Sequence, residues 1–316
     1  PICYAWTQAG CGPPTFMRVI SLLPSATEML YALGVEPVGV SHECDHPPAA
    51  RAVPAVTDTR IDADASGAEI DAQVQAVQES GSDVYQLDRE RLAALNPDLI
   101  VSQGLCDVCA VDSVVVREAV EALELEAEVL TIDPHSIGDV LDAIERLGAA
   151  LDRANRAAGL RRDLQARIDA VATASADGDR PRVAVLDWLE PPMVAGHWMP
   201  ELVELAGGTY GLAEPEARSR PREWTDIVAY DPEVLIAAPC GFEVPRTLAD
   251  ATALTDRLEW QDLAAVRRDA VYAMDGHHYV NRPGPRLVDT LELLTDVIGM
   301  EAPTADAAAV RRLEPA

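Results

Sequence analysis

The sequence predicts an α/β protein with two similar lobes, each built around a parallel sheet. Short apolar runs typical of buried strands alternate along the chain with helical patterns, an order that favours parallel sheets. Strand-and-helix units then occur in the same order in the two halves of the chain. We therefore expect a duplicated architecture with a ligand cleft between the lobes.

The repeated units are visible in the residues. "RVISLL" (18–23) matches "RVAVLD" (182–187), and "LAALNPDLIVSQG" (92–104) matches "DIVAYDPEVLIAAPCG" (226–241). A third unit begins with "EVLTI" in the first half and "AVYAM" in the second. Because self-similarity at this scale marks a structural repeat, the pattern predicts two lobes of the same topology.

Helical signals define the first helix and the segment that links the lobes. Ser25 and Glu28 have the spacing of a capping box, and Gly34 is placed to end the helix that they begin. Between the lobes, apolar residues recur at helical spacing over 136–175, which predicts one long helix of about 60 Å. The expected parts are an N-terminal extension (1–17), a first lobe (18–133), a linking backbone helix (134–176) and a second lobe (177–316).

Composition excludes several classes of partner. The chain has 48% hydrophobic residues, 4% aromatic residues and a formal net charge of −28, with arginine as its only strongly basic residue. Such a surface repels nucleic acid and anionic lipid, and it is typical of a salt-adapted, halophilic proteome. Six cysteines are too few for a disulfide scaffold.

Location is predicted from the start of the chain. No run approaches the ~20 apolar residues of a membrane span, and residues 1–16 lack the pattern of a signal peptide. Met17 is interpreted as the native start. As the sequence stands we expect a cytoplasmic protein, and the alternative is an extracytoplasmic, membrane-associated protein whose export signal has been lost.

Candidate binding residues cluster after predicted strands. Ligands of parallel α/β sheets bind outside the carboxyl ends of the strands, which here are followed by loops 41–48, 103–112, 188–198, 239–245 and 275–284. These loops and the start of a nearby helix carry many of the candidate side chains: His42, His46, Gln103, Trp188, Trp198, Trp224, His277, His278 and Tyr279. Aromatic residues in these places favour a large, flat, partly apolar ligand. The alternative is that Trp188 and Trp198 close the end of a small core.

The sequence does not contain a complete set of catalytic residues. Asp45 with His42 or His46 has the chemistry of an acid–base pair, but the sequence contains neither a nucleophile elbow nor a phosphate-binding P-loop. We therefore predict a binding protein.

Three cysteines form a candidate metal site. Cys106 and Cys109 have the spacing of zinc and redox pairs, and Cys44, flanked by His42 and His46, belongs to the same predicted edge of the sheet. The alternative is free thiols near a ligand pocket. Cys240 is interpreted as an isolated thiol.

The chain resembles the cobalamin-binding proteins of vitamin B12 ABC importers, which are class III substrate-binding proteins. The resemblance lies in "RVISLLPSATEMLYALG", "VGVS…CDHPP", "LAALNPDLIVSQG" and "EPPMVAG" with "ELAGG". It implies two Rossmann-like lobes joined by one long helix, with the corrin ring held in the cleft between them.

The resemblance also implies roles for individual residues. His46 stands where the family has a pocket tyrosine, Trp224 resembles a pocket tryptophan, and "DGHHYVNRPGPR" (275–286) matches the last cleft loop. Glu90 and Asp226 match the acidic residues that dock on an ABC permease.

Three hypotheses follow. The first is a monomeric binding protein for a corrinoid, cobalamin, acting in ABC import or as a ligand buffer. The second is a binding protein for haem or a ferric siderophore, with His46, His277 or His278 as metal ligands. The third is a cytoplasmic metal or redox protein that uses Cys44 with Cys106 and Cys109.

Overall fold

The computed structural model describes residues 17–104, 111–299 and 308–313. The first lobe contains β1 (Val19–Ser21), α1 (Pro24–Ala32), β2 (Gly39–Val40), β3 (Thr57–Thr59), α2 (Gly67–Glu79), β4 (Tyr85–Leu87), α3 (Arg89–Leu95), β5 (Leu99–Gln103), α4 (Ser113–Ala122) and β6 (Glu128–Ile132). Two helices follow, α5 (Ile137–Ala150) and α6 (Ala154–Ala174). The second lobe contains β7 (Val183–Leu189), β8 (Pro192–Val194), α7 (Met199–Leu205), β9 (Arg220–Pro221), α8 (Trp224–Tyr230), β10 (Val234–Ala237), α9 (Val244–Asp250), α10 (Thr252–Thr255), α11 (Ala264–Arg267), β11 (Val271–Met274), α12 (Leu287–Ile298) and β12 (Val310–Arg312).

The two main sheets share three parallel strands in the same order. The first has the order β2-β1-β5-β6 and is parallel throughout. The second has the order β12-β11-β10-β7-β8-β9, in which β11, β10 and β7 are parallel to one another. Because β1-β5-β6 and β7-β10-β11 occupy the same order, the predicted α/β architecture of two duplicated lobes is confirmed.

A shared local motif explains why the repeated residues fold alike. Arg18 precedes β1, and its Nε donates to the carbonyl of Asn96, 3.2 Å away. Arg182 precedes β7, and its Nε donates to the carbonyl of Asp231, 3.0 Å away. Asn96 and Asp231 both adopt left-handed conformations, with φ of 41° and 47°, directly after α3 and α8. Each arginine therefore binds the carbonyl end of the helix that leads into the neighbouring strand. This contact stabilises the C-terminal cap, and the positive charge interacts favourably with the helix dipole.

The linking segment is two helices rather than the predicted single one. The helical pattern is interrupted at residues 151–153, where Asp152 has a φ of 55°. A Cβ on Gly148 would overlap the Cβ of Ala157, so the glycine allows α5 and α6 to pack closely against each other. Arg161 on α6 pairs with Asp142 on α5, 2.5 Å away. Spacing alone could not reveal this because both helices keep the same apolar period.

The start of α1 also differs from its prediction. Leu23 is the N-cap, Pro24 occupies the first turn, and among the described residues no side chain caps this end. Ser25 and Glu28 lie inside the helix and are buried. Gly34, with a φ of 75°, ends the helix as expected. Proline is favoured at the first helical position because its missing N–H would have no partner there. Glu28 does not cap the helix, and its carboxylate can therefore pair with another residue.

Alternate side chains of the central strands enter separate cores. Ile20 and Ile100 pack with residues of α3 and α4 on one face of the first sheet. Val19 and Val101 pack on the other face, in a cluster that continues through α5 and α6 into the second lobe. Each fully buried Leu or Ile contributes about 1.5–3 kcal/mol, so this continuous cluster helps to hold the two lobes together. Within the described residues, no helix has the length and apolar character of a membrane span.

Candidate functional site

The carboxyl edges of the two sheets meet through charged side chains. Asp45, in the loop after β2, lies with its Oδ1 2.6 Å from Nη1 of Arg282 in the second lobe. Glu28 on α1 receives Arg286 in a two-pronged contact, with N–O distances of 2.5 and 2.9 Å. Glu28 is 5% exposed, and paired charges withdrawn from water hold a defined geometry. Loops 41–48 and 275–284 therefore face each other as predicted, and they are joined by ion pairs.

Asp45 is the centre of the contact. Its Oδ2 lies 2.7 Å from Nε2 of His277 and 3.3 Å from Nε2 of His278. Burial by itself would raise the pKa of the Asp45 carboxyl, but hydrogen bonds with His277, His278 and Arg282 outweigh it and hold this pKa far below its usual range. The hydrogen bond with Asp275, followed by that with Asp45, raises the pKa of His278 to about 9. At neutral pH the cluster thus pairs an ionised carboxylate with a protonated imidazole.

The turn that presents the two histidines is specified by the residues before them. Oδ1 of Asp275 accepts from the backbone N–H of His278 at 2.7 Å, and its Oδ2 lies 2.9 Å from Nδ1 of the same residue. A Cβ on Gly276 would overlap the carbonyl oxygen of Pro239, so this close approach requires glycine. The "DGHH" sequence therefore folds into a turn that aims both imidazoles at the first lobe.

The acid–base pair predicted within loop 41–48 is not the pairing that the structure shows. His42 Nδ1 lies 2.7 Å from the hydroxyl of Thr57, and its Nε2 lies 3.4 Å from Glu43. His46 is half-buried, and burial followed by the charge of Arg286 lowers its pKa. The histidine partners of Asp45 come instead from the second lobe, because the strand-tip loops close on each other.

The cysteine site stays a prediction. Cys44 is 4% exposed, and the hydroxyl of Thr27 donates to its sulfur at 3.0 Å. Burial raises the pKa of the Cys44 thiol to about 12, which disfavours the thiolate that metals require. Cys106 and Cys109 lie outside the described residues. Cys240 is an exposed free thiol.

The predicted aromatic residues separate into different environments. Trp188 lines an open pocket of about 520 Å³ between the lobes, together with Gly67, Phe242 and Asp250. Trp198 is 6% exposed and donates its Nε1–H to the carbonyl of Val280, which fits the alternative of closing a core.

Other predicted contacts lie around this region. Trp224 stacks on Trp260 with ring centroids 6.3 Å apart, within the second lobe. Tyr279 lies 5.5 Å from the guanidinium of Arg286, and Gln103 is buried at the end of β5.

Two further contacts join the lobes. Arg246 donates to the carbonyls of Ala63 and Ala65, just before α2. Nδ1 of His135, in the loop after β6, lies 3.4 Å from Nδ1 of His197, in the loop after β8. The lobes are therefore in contact through several pairs of loops.

Sequence reasoning missed the two arginines and Glu28. A signal was available in "NRPGPR", where two arginines stand in a predicted cleft loop of an acidic chain. Their acidic partners were not readable, because Glu28 has the spacing of an ordinary capping residue and lies 258 positions from Arg286.

The predicted docking residues lie at equivalent places. Glu90 is exposed in the first turn of α3, and Asp226 is exposed in the first turn of α8. These two helices share the left-handed cap described above. The structure thus places one acidic side chain on each lobe, at the strand-tip end of matching helices.

Comparison with known proteins identifies relatives over nearly the whole chain. The profile of a family described as periplasmic binding protein matches residues 19–277. The vitamin B12-binding protein of Vibrio cholerae is 25% identical over 286 residues, which cover 87% of this chain and 86% of that protein.

Solved structures share the fold. A periplasmic heme-binding protein from Pseudomonas aeruginosa has a TM-score of 0.68 and 21% identity, covering 92% of this chain and 96% of that one. A protein of an ABC-type Fe3+-hydroxamate transport system from Saccharomonospora viridis has a TM-score of 0.65 and 24% identity, covering 89% and 93%. The predicted resemblance to substrate-binding proteins, and the prediction of a binding protein rather than an enzyme, are confirmed.

The cytoplasmic location predicted above is wrong. The matching family is one of periplasmic binding proteins. The prediction relied on the first residues of the chain, and these do not decide location because an export signal is removed from a mature protein.

Proposed function

Since the chain belongs to the periplasmic binding protein family, we propose that it binds a corrinoid, cobalamin, between its lobes and delivers it to an ABC permease. The observation that carries the choice of ligand is the likeness to a vitamin B12-binding protein over 86% of that protein's length. The meeting of both strand-tip edges at Asp45 and Arg282 supports a site that draws on both lobes.

Binding of a macrocycle requires the interlobe contacts to open. The pocket of about 520 Å³ is lined by residues of both lobes, and a corrin ring with its side chains needs more room than this pocket offers. On opening, the carboxylates and guanidiniums become free to bond the ligand. Corrinoids carry neutral amide side chains, which can accept from arginine and donate to carboxylates, so both charge types find partners.

Haem is the second candidate, and a specific observation favours it. His277 and His278 stand beside Arg282, so an iron–imidazole bond and a guanidinium for an anionic side chain are available in one place. Haem carries carboxylates, which would pair with the arginines and leave Asp45 and Glu28 without their cationic partners. The acidic half of the site therefore fits the neutral amides of a corrinoid better.

Calorimetry with cyanocobalamin and with hemin distinguishes these ligands. We expect one cyanocobalamin per chain and no Soret shift with hemin. Arg286→Ala should weaken corrinoid binding at least tenfold, whereas Glu90→Gln, at an exposed position on α3, should leave it unchanged as the control. Absence of binding heat with cyanocobalamin, or tight 1:1 binding of hemin instead, would reject the corrinoid proposal.

Docking on the permease is tested separately. Glu90→Gln combined with Asp226→Asn should abolish corrinoid uptake in cells that rely on this protein, without changing its affinity for the ligand. Uptake that survives the double substitution would remove these residues from the docking surface.

A further inference from the structure

A set of metal-ligating side chains lies in the contact between the lobes. Asp45 comes from the loop after β2, and His277 and His278 come from the turn after β11. One ligand atom from each residue lies within 4.8 Å of the other two. We propose that these three side chains bind one divalent transition-metal ion, of the zinc or cobalt type, which bridges the two lobes.

The distances suit coordination. Asp45 Oδ2 lies 2.7 Å from Nε2 of His277 and 3.3 Å from Nε2 of His278. With metal–nitrogen and metal–oxygen distances of about 2.0–2.2 Å, neighbouring ligand atoms of a zinc-type ion stand about 3 Å apart. Both distances from Asp45 are close to this spacing, and the ligand atoms of the two histidines lie within 4.8 Å of each other.

A supporting carboxylate orients one of the imidazoles. Nδ1 of His278 lies 2.9 Å from Oδ2 of Asp275, whose other oxygen accepts from the backbone of the same residue. Nδ1 donates to this carboxylate, so a metal ion that displaces the proton of Nε2 meets a lone pair directed at Asp45. A carboxylate behind a histidine in this way is the usual second contact of metal-binding imidazoles.

Without a cation, neither tautomer of His277 can make favourable hydrogen bonds with both of its neighbours. Its Nε2 lies 2.7 Å from an acceptor, Asp45 Oδ2, and 2.9 Å from a donor, Nη2 of Arg282. A proton on Nε2 opposes the guanidinium, and a lone pair on Nε2 opposes the carboxylate, so either tautomer leaves one contact unfavourable. A metal ion between Nε2 and Oδ2 removes the conflict with Asp45, while Arg282 keeps its contact with Oδ1.

Charge in the region also favours a divalent cation. Four carboxylates surround the contact, and two guanidiniums oppose them. The carboxylates are Glu28, Glu43, Asp45 and Asp275, and the guanidiniums are Arg282 and Arg286. With His278 protonated the excess is one negative charge. A divalent ion that takes the place of this proton adds one net positive charge and neutralises the excess. Uncompensated charge inside a contact is costly, so the ion would stabilise the joined lobes.

Titration of tag-free, chelator-treated protein with Co2+ and Zn2+, without corrinoid, tests the site. Co2+ should produce visible ligand-field bands at one ion per chain. His277→Ala and His278→Ala should each weaken binding at least 100-fold, and Asp275→Asn should weaken it about 10–100-fold. The matched control His135→Ala, which removes one histidine elsewhere in the cleft, should bind as the parent does.

The thiols provide a second comparison, because they also bind soft metals. Cys106→Ser with Cys109→Ser should leave the Co2+ bands unchanged. Absence of binding, equal affinity in the histidine variants and the parent, or loss only in the cysteine variant would each overturn the proposal. Circular dichroism confirms that each variant is folded. Corrinoid affinity is measured independently. Absence of metal binding would therefore not reject the corrinoid proposal, and absence of corrinoid binding would not reject the metal site.

Discussion

Asp187 on β7 carries a buried charge that should make stability depend on pH. Among the described residues, Oδ1 of Asp187 is buried and has no hydrogen-bond partner. Burial raises the pKa of this carboxyl from 3.8 to about 6, and a hydrogen bond from Ser219 offsets only part of the effect. In the unfolded chain the group ionises near its ordinary pKa, so ionisation favours unfolding.

The size and pH range of the effect follow from these values. Below about pH 4 the carboxyl is neutral in both states and the penalty is absent. Between about pH 4 and 6 the unfolded state loses its proton first, so stability falls as pH rises, and above pH 6 the penalty is complete. At about 1.4 kcal/mol per pKa unit, the interval from 3.8 to 6 corresponds to about 3 kcal/mol.

Asp187→Asn should therefore stabilise the protein at pH 8. The amide removes the charge but buries an N–H2 group that also lacks a partner, which costs about 1–3 kcal/mol. We expect a net gain of up to about 2 kcal/mol at pH 8 and a loss at pH 4, measured by urea unfolding.

Two variants make the test specific. Ser219→Ala should destabilise the protein at pH 8 and less so at pH 4, because the hydroxyl serves the ionised carboxylate. Asp177→Asn, at an exposed position, should leave the difference between pH 4 and pH 8 unchanged. An Asp187→Asn variant with the parent's pH dependence would refute the reasoning.

Three further predictions concern close packing and the interlobe contact. Gly148→Ala should lower the free energy of unfolding by about 1–3 kcal/mol by overpacking α5 against α6, and adding Ala157→Gly should restore much of it; no rescue would contradict the contact. Gly276→Ala should destabilise by at least about 2 kcal/mol, since its Cβ meets a backbone carbonyl, whereas Gly178→Ala has open space and serves as the control. Glu28→Gln should cost about 1.5–3 kcal/mol by removing a charge-assisted pair and should increase the radius of gyration in X-ray scattering; an unchanged radius would show that this pair does not hold the lobes together.

The sequence was a good guide wherever the signal is local. Strand positions follow from short apolar runs, and the duplication is readable because "NPDL" and "DPEV" mark the same helix end and strand start in both lobes. The continuity of the linking helix was not readable. The break at Asp152 depends on how closely Gly148 lets α5 approach α6, and this is a property of the packed pair.

The candidate site was predicted only in part. His277 and His278 were identified from their place after a strand, but as contacts for a flat ligand rather than as partners of Asp45. Glu28 was interpreted as a helix cap, although Pro24 begins the helix and the carboxylate pairs with Arg286.

What the amino-acid order alone determined is the architecture: two lobes of one topology, with polar and aromatic residues collected at the strand tips. Periodicity, caps and repeats are properties of neighbouring residues, and neighbouring residues decide strands and helices. Only the tertiary structure decided which charges meet, because Asp45 and His277 are 232 positions apart and come together only when both sheets are formed and face each other. Pairing across such a distance depends on the summed geometry of every element between them, and no short pattern in the chain encodes it.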